Sequence, residues 1–206
     1  LVKLRERLEA KHDDIIELKN TIGSLSAGKE ASPFITVEDK KLPLKFSGES
    51  NPLSNLYRIN EGMKAFGRTF SSSEEAYQYR KAMAADDWEA MDKILECKNG
   101  KEAKRIGKGV KAPGWDKKRK SVMKDLVILK LDACNAFKEK LVSSKDRLLQ
   151  EDTEDSVWGL GQDGKGKNTM GVVLMEVRHE KLGGRSLASL EVDAESSEKR
   201  VDDGPI

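Results

Sequence analysis

All eleven aromatic side chains of this 206-residue chain fall between Phe34 and Trp158. Large apolar side chains supply most of the surface a core can bury. This one asymmetry therefore confines the packed domain to about residues 34–184, with extensions on both sides. Composition agrees, because 36 % charged against 37 % hydrophobic is a polar balance for a fully globular chain. In the first extension, Leu1, Leu8, Ile15 and Ile22 take one heptad position, and Leu4, Lys11, Leu18 and Leu25 take the other. A 3.5-residue repeat without drift predicts a coiled-coil helix over residues 1–26 and an oligomer formed through it, with Lys11 as a register device in the seam. A single amphipathic helix packed on its own domain is the alternative. The pattern is already running at Leu1, which is not a Met, so the reading expects more chain upstream. Residues 27–41 read as a linker, introduced by the Gly, Ser and Pro of "SLSAGKEASP". After Arg185 six acidic residues stand against two basic ones, and 185–206 reads as a disordered acidic tail.

Between these extensions the patterns predict one predominantly helical α+β domain over residues 42–184. "KLPLKFSG" reads as extended, "ESNPLSN" as a polar turn, and "MKAFGRTF" as a short strand pair around Gly67. "SSSEEAYQYRKAMAADDWEAMDKILECKNG" reads as one helix or two tight ones. Ser72 and Glu75 form a capping box at its start, and Gly100 sits where a terminator belongs. "KRKSVMKDLVILKLDACNAFKEKL" is the strongest helix, with Val122, Leu126, Leu129, Ala133 and Phe137 along one face. A last helix starts at Asn168 or Thr169 and stops at Gly183.

Charge and side-chain supply narrow the chemistry. Net charge is only +2, yet residues 101–125 carry ten Lys or Arg against three acids. Such a patch suits phosphorylated ligands or nucleic acid, and equally a solvated helix face. Cys97 and Cys134 make neither a zinc pattern nor a disulfide framework, which points to a reducing compartment, cytoplasmic or nuclear. No apolar run approaches the ~20 residues of a membrane span. Of the two histidines, His12 lies on the heptad segment, and His179 has no nucleophile signature nearby. No metal or cofactor is expected, so any catalysis falls to carboxylates, amides and backbone donors.

Two pieces could supply them. "WGLGQDGKGKNTMG" (158–171) matches G-x-x-x-x-G-K-[ST] at Gly159, Gly164 and Lys165 but puts Gly166 where a magnesium-holding hydroxyl belongs. The preceding "QEDTEDSVW" is acidic and polar, unlike the buried strand that feeds a nucleotide-triphosphate loop. The alternatives are a backbone N–H nest for an anion, helped by Lys165 and Lys167, or a flexible surface loop. In the first, Trp158 offers a face for a base to stack on, and Asn168 caps the helix or offers its amide to a sugar hydroxyl. The second piece is Glu74, in an exposed first helical turn. There the unpaired N–H groups favour a carboxylate, whether for chemistry or merely for helix stability.

"FSGESNPLSNLY", "FSSSEEAYQYRKA", "AKRIG", Trp115 eight residues before Met123, and "WGLGQDGKGKNTMGVVLMEVR" follow one another in order. Together they resemble the NADAR (YbiA-like) family over about residues 42–184. The resemblance implies a compact, mainly helical fold and metal-independent cleavage of the N-glycosidic bond between a ribose and a base or amine. The substrates implied are phosphoribosylated pyrimidine intermediates of riboflavin synthesis, or ADP-ribosyl groups, including those carried by guanine in nucleic acid. It also implies roles: Glu74, Trp158 and Asn168 in catalysis, and Asn55, Gln78, Lys81, Gly159, Gly161, Lys165, Gly166 and Lys167 in substrate binding. Leu160 departs from members that carry an Asp between the two glycines of "WGxG". On this reading Glu74 stabilises the cationic sugar and directs water, while the Gly-Lys loop with Lys81 or Arg80 holds phosphate. Trp115 is expected to fill the core, with lining the site as the alternative. The rival readings are a non-catalytic ADP-ribose module in a coiled-coil assembly protein, and a mainly nucleic-acid or assembly module.

Overall fold

The structure, a computed structural model, describes residues 42–183. The heptad segment 1–26, the linker 27–41 and the acidic tail 185–206 lie outside the described residues. In chain order the elements are β1 (Leu44–Phe46), β2 (Met63–Ala65), β3 (Arg68–Phe70), α1 (Ser73–Ala84), α2 (Trp88–Leu95), α3 (Gly100–Gly109), α4 (Trp115–Ala133), α5 (Asn135–Ser143), β4 (Leu149–Glu151) and α6 (Thr169–Leu182). This is the predominantly helical α+β arrangement that the patterns predict. Among the described residues, no helix is long and apolar enough to cross a membrane.

The strands are short, and each has a local reason. β2 and β3 form an antiparallel hairpin with Met63 opposite Phe70, both buried. Phe66 and Gly67 turn it, both at positive φ (49° and 72°). Two left-handed residues are what a two-residue hairpin turn of matching twist requires. β1 and β4 come from opposite ends of the domain and pair in parallel, with Phe46 opposite Glu151. α6 presses Val173, Leu174 and Val177 into the core. Burial of each such apolar side chain contributes ~1.5–3 kcal/mol. The helix starts after Asn168 and ends at Gly183 (φ 70°). The stop follows its sequence signal, whereas the start falls where expected but without a side-chain cap.

Three expectations need correction. Gly100 does not end a helix. α2 ends at Leu95, and Gly100 opens α3 behind Asn99, whose side chain accepts from the Glu102 N–H at 3.0 Å. Glycine is needed there because a Cβ would lie 2.9 Å from Ser72 Oγ and 3.1 Å from Glu74 Cβ, so the start of α3 packs directly on the start of α1. The long helix breaks at Cys134, whose extended backbone (φ −139°) ends α4 and introduces α5. Its inward face also differs: Met123, Leu126, Val127, Lys130 and Leu131 are buried, whereas Leu129 is 37 % exposed. The cause is Lys130, a charged residue at a core position, which displaces any stripe chosen by apolarity alone. At 1 % exposure its ammonium donates to Ser54 O at 2.7 Å and lies 4.7 Å from the Phe137 ring. The hydrogen bond ties the 47–62 segment to α4, and the cation–π contact ties α4 to α5. Burial lowers the Lys130 pKa to about 7. The capping box, finally, is half formed. Ser72 Oγ accepts from Glu75 N–H, but the Glu75 carboxylate accepts from the N–H and hydroxyl of Ser71 rather than from the N–H of Ser72.

Candidate active site

The opening turn of α1 is buried. Every residue from Ser72 to Tyr79 is inaccessible, because α3 lies across the turn and the 47–62 segment closes its end. Glu74 gives its N–H to Asn55 O at 3.1 Å, and its carboxylate accepts from Gln78 Nε2 at 2.7 Å. A side chain at Gly107 would collide with the Gln78 amide, so α3 approaches α1 through two glycines, Gly100 and Gly107. Glu74 is 5 % exposed, which corrects the exposed first turn that its position suggests. Burial raises its pKa above the ordinary carboxylate range, offset in part by the Gln78 hydrogen bond and the Lys104 charge, and reinforced by Asp155.

Glu74 faces a cleft of about 270 Å³. Four acids line it: Glu74 from α1, Asp116 from the first turn of α4, where it pairs with Arg119, Glu151 from the end of β4, and Asp155 just beyond. Glu151 is 8 % exposed. Burial lifts its pKa to about 7, with Lys104 pulling down and Glu74 and Asp155 pushing up. Two buried carboxyl groups thus share one cleft, and the Glu74 charge disfavours ionisation of Glu151. Asp155 Oδ1 accepts from the Val157 and Trp158 N–H groups at 3.0 and 2.9 Å. That local turn sets Trp158 in the wall. Tyr77 stands between two indoles, with ring centroids 5.3 Å from Trp115 and 5.5 Å from Trp158. Both contacts are edge-to-face, the arrangement that aromatic quadrupoles favour. Trp115 is buried as expected, but it also lines the cleft.

The basic stretch 101–125 divides by job. Lys104, Lys108 and Arg119 line the cleft, whereas Lys120 and Lys124 pair with Glu176 and Glu180 of α6. Lys81 also lines it, donating from Nζ to Gly107 O at 2.8 Å, with its pKa lowered by burial. Arg80 instead lies 5.8 Å over the Phe66 ring and is not among the lining residues.

The glycine loop behaves differently from its motif. Of the loop residues proposed from sequence, only Trp158 lines the cleft; Gly159, Gly161, Lys165, Gly166, Lys167 and Asn168 do not. The backbone donors needed for an anion nest are already used. Gly159 donates to Asp155 O, Leu160 to Glu151 O, Gly161 to Thr153 O, Gly166 to Leu160 O, Lys167 to Ser156 O, and Asn168 to Gly159 O, all at 2.6–3.0 Å. Lys165 N–H goes to Asp163 Oδ1. The glycines serve close packing, since a Cβ on Gly166 would run into the backbone of Gly159 and Leu160, and one on Gly159 into Thr153 and Glu151. The Asn168 side chain neither caps α6 nor reaches the cleft. The residue sits at φ 48° and clasps β4, accepting from Glu151 N–H at 2.9 Å and donating to Leu149 O at 2.8 Å.

Sequence reasoning brings together Glu74, Asn55, Gln78, Lys81 and Trp158, and misses Glu151, Asp155, Tyr77, Lys104 and Arg119. The signal lay in "QEDTEDSVW", set aside as polar. Its first residues continue a strand whose Leu149 and Glu151 both point inward. Among the described residues, no three His, Cys, Asp or Glu side chains come together as a metal site.

The cleft thus brings together buried acids, lysine and arginine side chains, and the aromatic rings of Tyr77, Trp115 and Trp158. The NADAR domain model matches residues 44–181. N-glycosidase YbiA of Escherichia coli (strain K12) is 30 % identical over 122 residues, covering 57 % of this chain and 74 % of that protein. The chloroplastic riboflavin biosynthesis protein PYRR of Zea mays is 32 % identical over 126 residues, which are 56 % of this chain but 20 % of PYRR. The NMR structure of E. coli YbiA aligns with a TM-score of 0.58 at 27 % identity, over 71 % of this chain and 91 % of that one. The chain belongs to the NADAR domain family.

Proposed function

We propose that the chain is a hydrolase that cleaves the N-glycosidic bond of a phosphoribosyl or ADP-ribosyl substrate, including ADP-ribose carried by nucleic acid. The observation that carries this reading is the pair of buried carboxyl groups, Glu74 and Glu151, in one cleft below a basic rim. Breaking a ribosyl C1′–N bond sends the electron pair to nitrogen and leaves positive charge on the anomeric carbon and ring oxygen. One ionised carboxylate stabilises that charge and takes a proton from the attacking water; one protonated carboxyl gives its proton to the departing nitrogen. On this reading the pair shares one proton, with one carboxyl ionised and the other protonated. The Gln78 N–H bond favours the charged form of Glu74, so the proton is assigned to Glu151.

Phosphate binding falls to Lys81, Lys104, Lys108 and Arg119 rather than to the glycine loop. The cleft measures about 270 Å³. That is small beside the roughly 300 Å³ at which small-molecule sites begin. Such a space suits a ribose and one ring, with phosphate or the rest of a diphosphate on the rim. The names of the relatives, N-glycosidase and riboflavin biosynthesis protein, favour a phosphoribosyl-aminopyrimidine as the first substrate to try. A non-catalytic ADP-ribose module is disfavoured by the same acids, which would repel an anionic ligand without any gain.

The test is chromatographic detection of free base after incubation with a phosphoribosyl-aminopyrimidine, NAD or ADP-ribosylated guanine, for wild type and Glu74→Gln. Release by wild type and not by the variant is expected. No release from any of the three, together with a calorimetric signal for ADP-ribose binding, would transfer the case to the binding module.

A further inference from the structure

The hydroxyl of Tyr77 has a direction that can be deduced. Trp115 Nε1 and Tyr77 Oη are hydrogen-bonded at 2.8 Å. An indole N–H only donates, so Tyr77 Oη is the acceptor in that bond. The phenolic proton must then point elsewhere, and among the described residues it has no acceptor. Tyr77 lines the cleft one helical turn after Glu74, with Trp115 and Trp158 lining it on either side. The result is a flat aromatic corner with one unused donor in it. Buried donors are rarely left unmade, because the missing bond costs about as much as desolvating the group. A planar heterocycle fits such a corner, and its carbonyl oxygen or ring nitrogen supplies the acceptor.

We propose that Tyr77 is a catalytic residue that hydrogen-bonds the departing base and stabilises the electron pair which that base carries away. The inference rests on the N-glycosidase reading above. As the C1′–N bond breaks, the pair delocalises onto the acceptor that faces Tyr77, and the hydrogen bond strengthens. Tyr77 keeps its proton throughout. The base is protonated by Glu151, water adds hydroxide to the anomeric carbon, and the remaining water proton goes to Glu74, which restores the single proton of the pair. Burial holds the phenol's pKa far above its ordinary value, consistent with a donor that never ionises.

The experiment compares wild type, Tyr77→Phe and Trp115→Phe on a phosphoribosyl-aminopyrimidine, with inhibition by the free aminopyrimidine and by ribose 5-phosphate measured in parallel. Y77F is expected to lose on the order of 10- to 100-fold in kcat with KM within about threefold. It should bind the free base more weakly and ribose 5-phosphate unchanged. W115F keeps the phenol and should retain more kcat than Y77F, although both lose stability through the same broken bond. Equal impairment of the two variants would reduce Tyr77 to packing. Turnover by Y77F at the wild-type rate overturns the role of Tyr77 alone, whereas no turnover by wild type overturns the N-glycosidase reading and this role with it.

Discussion

The opening turn of α1 and the 158–168 loop make an instructive pair. Both offer what a phosphorylated sugar needs, one with a carboxylate and amides, the other with glycines and lysines. In the cleft beside α1, Asn55 Oδ1, Gln78 Oε1 and Thr153 Oγ1 are buried without a partner among the described residues. In the loop almost every N–H is bonded to another part of the chain, and both lysines are exposed. Motif composition makes the loop look like the ligand site, whereas the tally of unmade hydrogen bonds points to the cleft. Glycine density reports that a backbone comes close to something, and here that something is the protein itself.

Each difference can be attacked. The largest effect is expected from Glu74→Gln, a fall of roughly 10²- to 10⁴-fold in kcat for base release. Its thermal midpoint should move little, since the amide replaces a carboxyl whose charge burial already opposes. Next is pH. Glu151 has its folded pKa raised to about 7 from an ordinary 4.5. Its contribution to stability is therefore fully present below pH 4.5 and is lost as pH rises through 7. Denaturation curves should show wild type losing up to about 3 kcal/mol relative to Glu151→Gln across that window. In the same assay series, activity should fall above about pH 7 as the acid ionises. Gly166→Ala should then cost about 1–3 kcal/mol in urea unfolding. The reason is that a methyl group there enters the Gly159–Leu160 backbone. Smallest is the contrast between lysines. Lys104→Ala should raise KM for a phosphorylated substrate about tenfold, the value of one charge-assisted contact, while Lys165→Ala and Lys167→Ala leave it near wild type. A larger KM effect from the loop lysines than from Lys104 would restore the loop as the phosphate site.

What the sequence made legible follows local chemistry. The Phe66–Gly67 turn, the Ser72 cap, and the stop of α6 each depend on residues within a few positions of one another. Glu74, Gln78 and Lys81 came together through the family resemblance, and the structure places them on one face of α1 at i, i+4 and i+7. The rest depends on partners remote in sequence. Lys130 looks like a solvent residue until the Ser54 carbonyl and the Phe137 ring are placed around it. Glu151 looks like one more acid in an acidic run until β1 pairs with its strand. The break at Cys134 carries no Gly or Pro to announce it. The loop N–H groups bond Glu151, Thr153 and Asp155 only four to nine residues back, yet the glycine motif alone does not say that they fold onto their own chain.

The parallel pairing of β1 with β4 has a consequence for how activity arises. The two strands come from opposite ends of the domain, and the second of them carries one of the two acids. Contacts that close so long a stretch of chain form late, because the entropy of closure precedes their reward. A nascent chain released before β4 emerges therefore holds Glu74 without its counterpart. On the proposed reading the pair of acids is complete only once β1 and β4 have met.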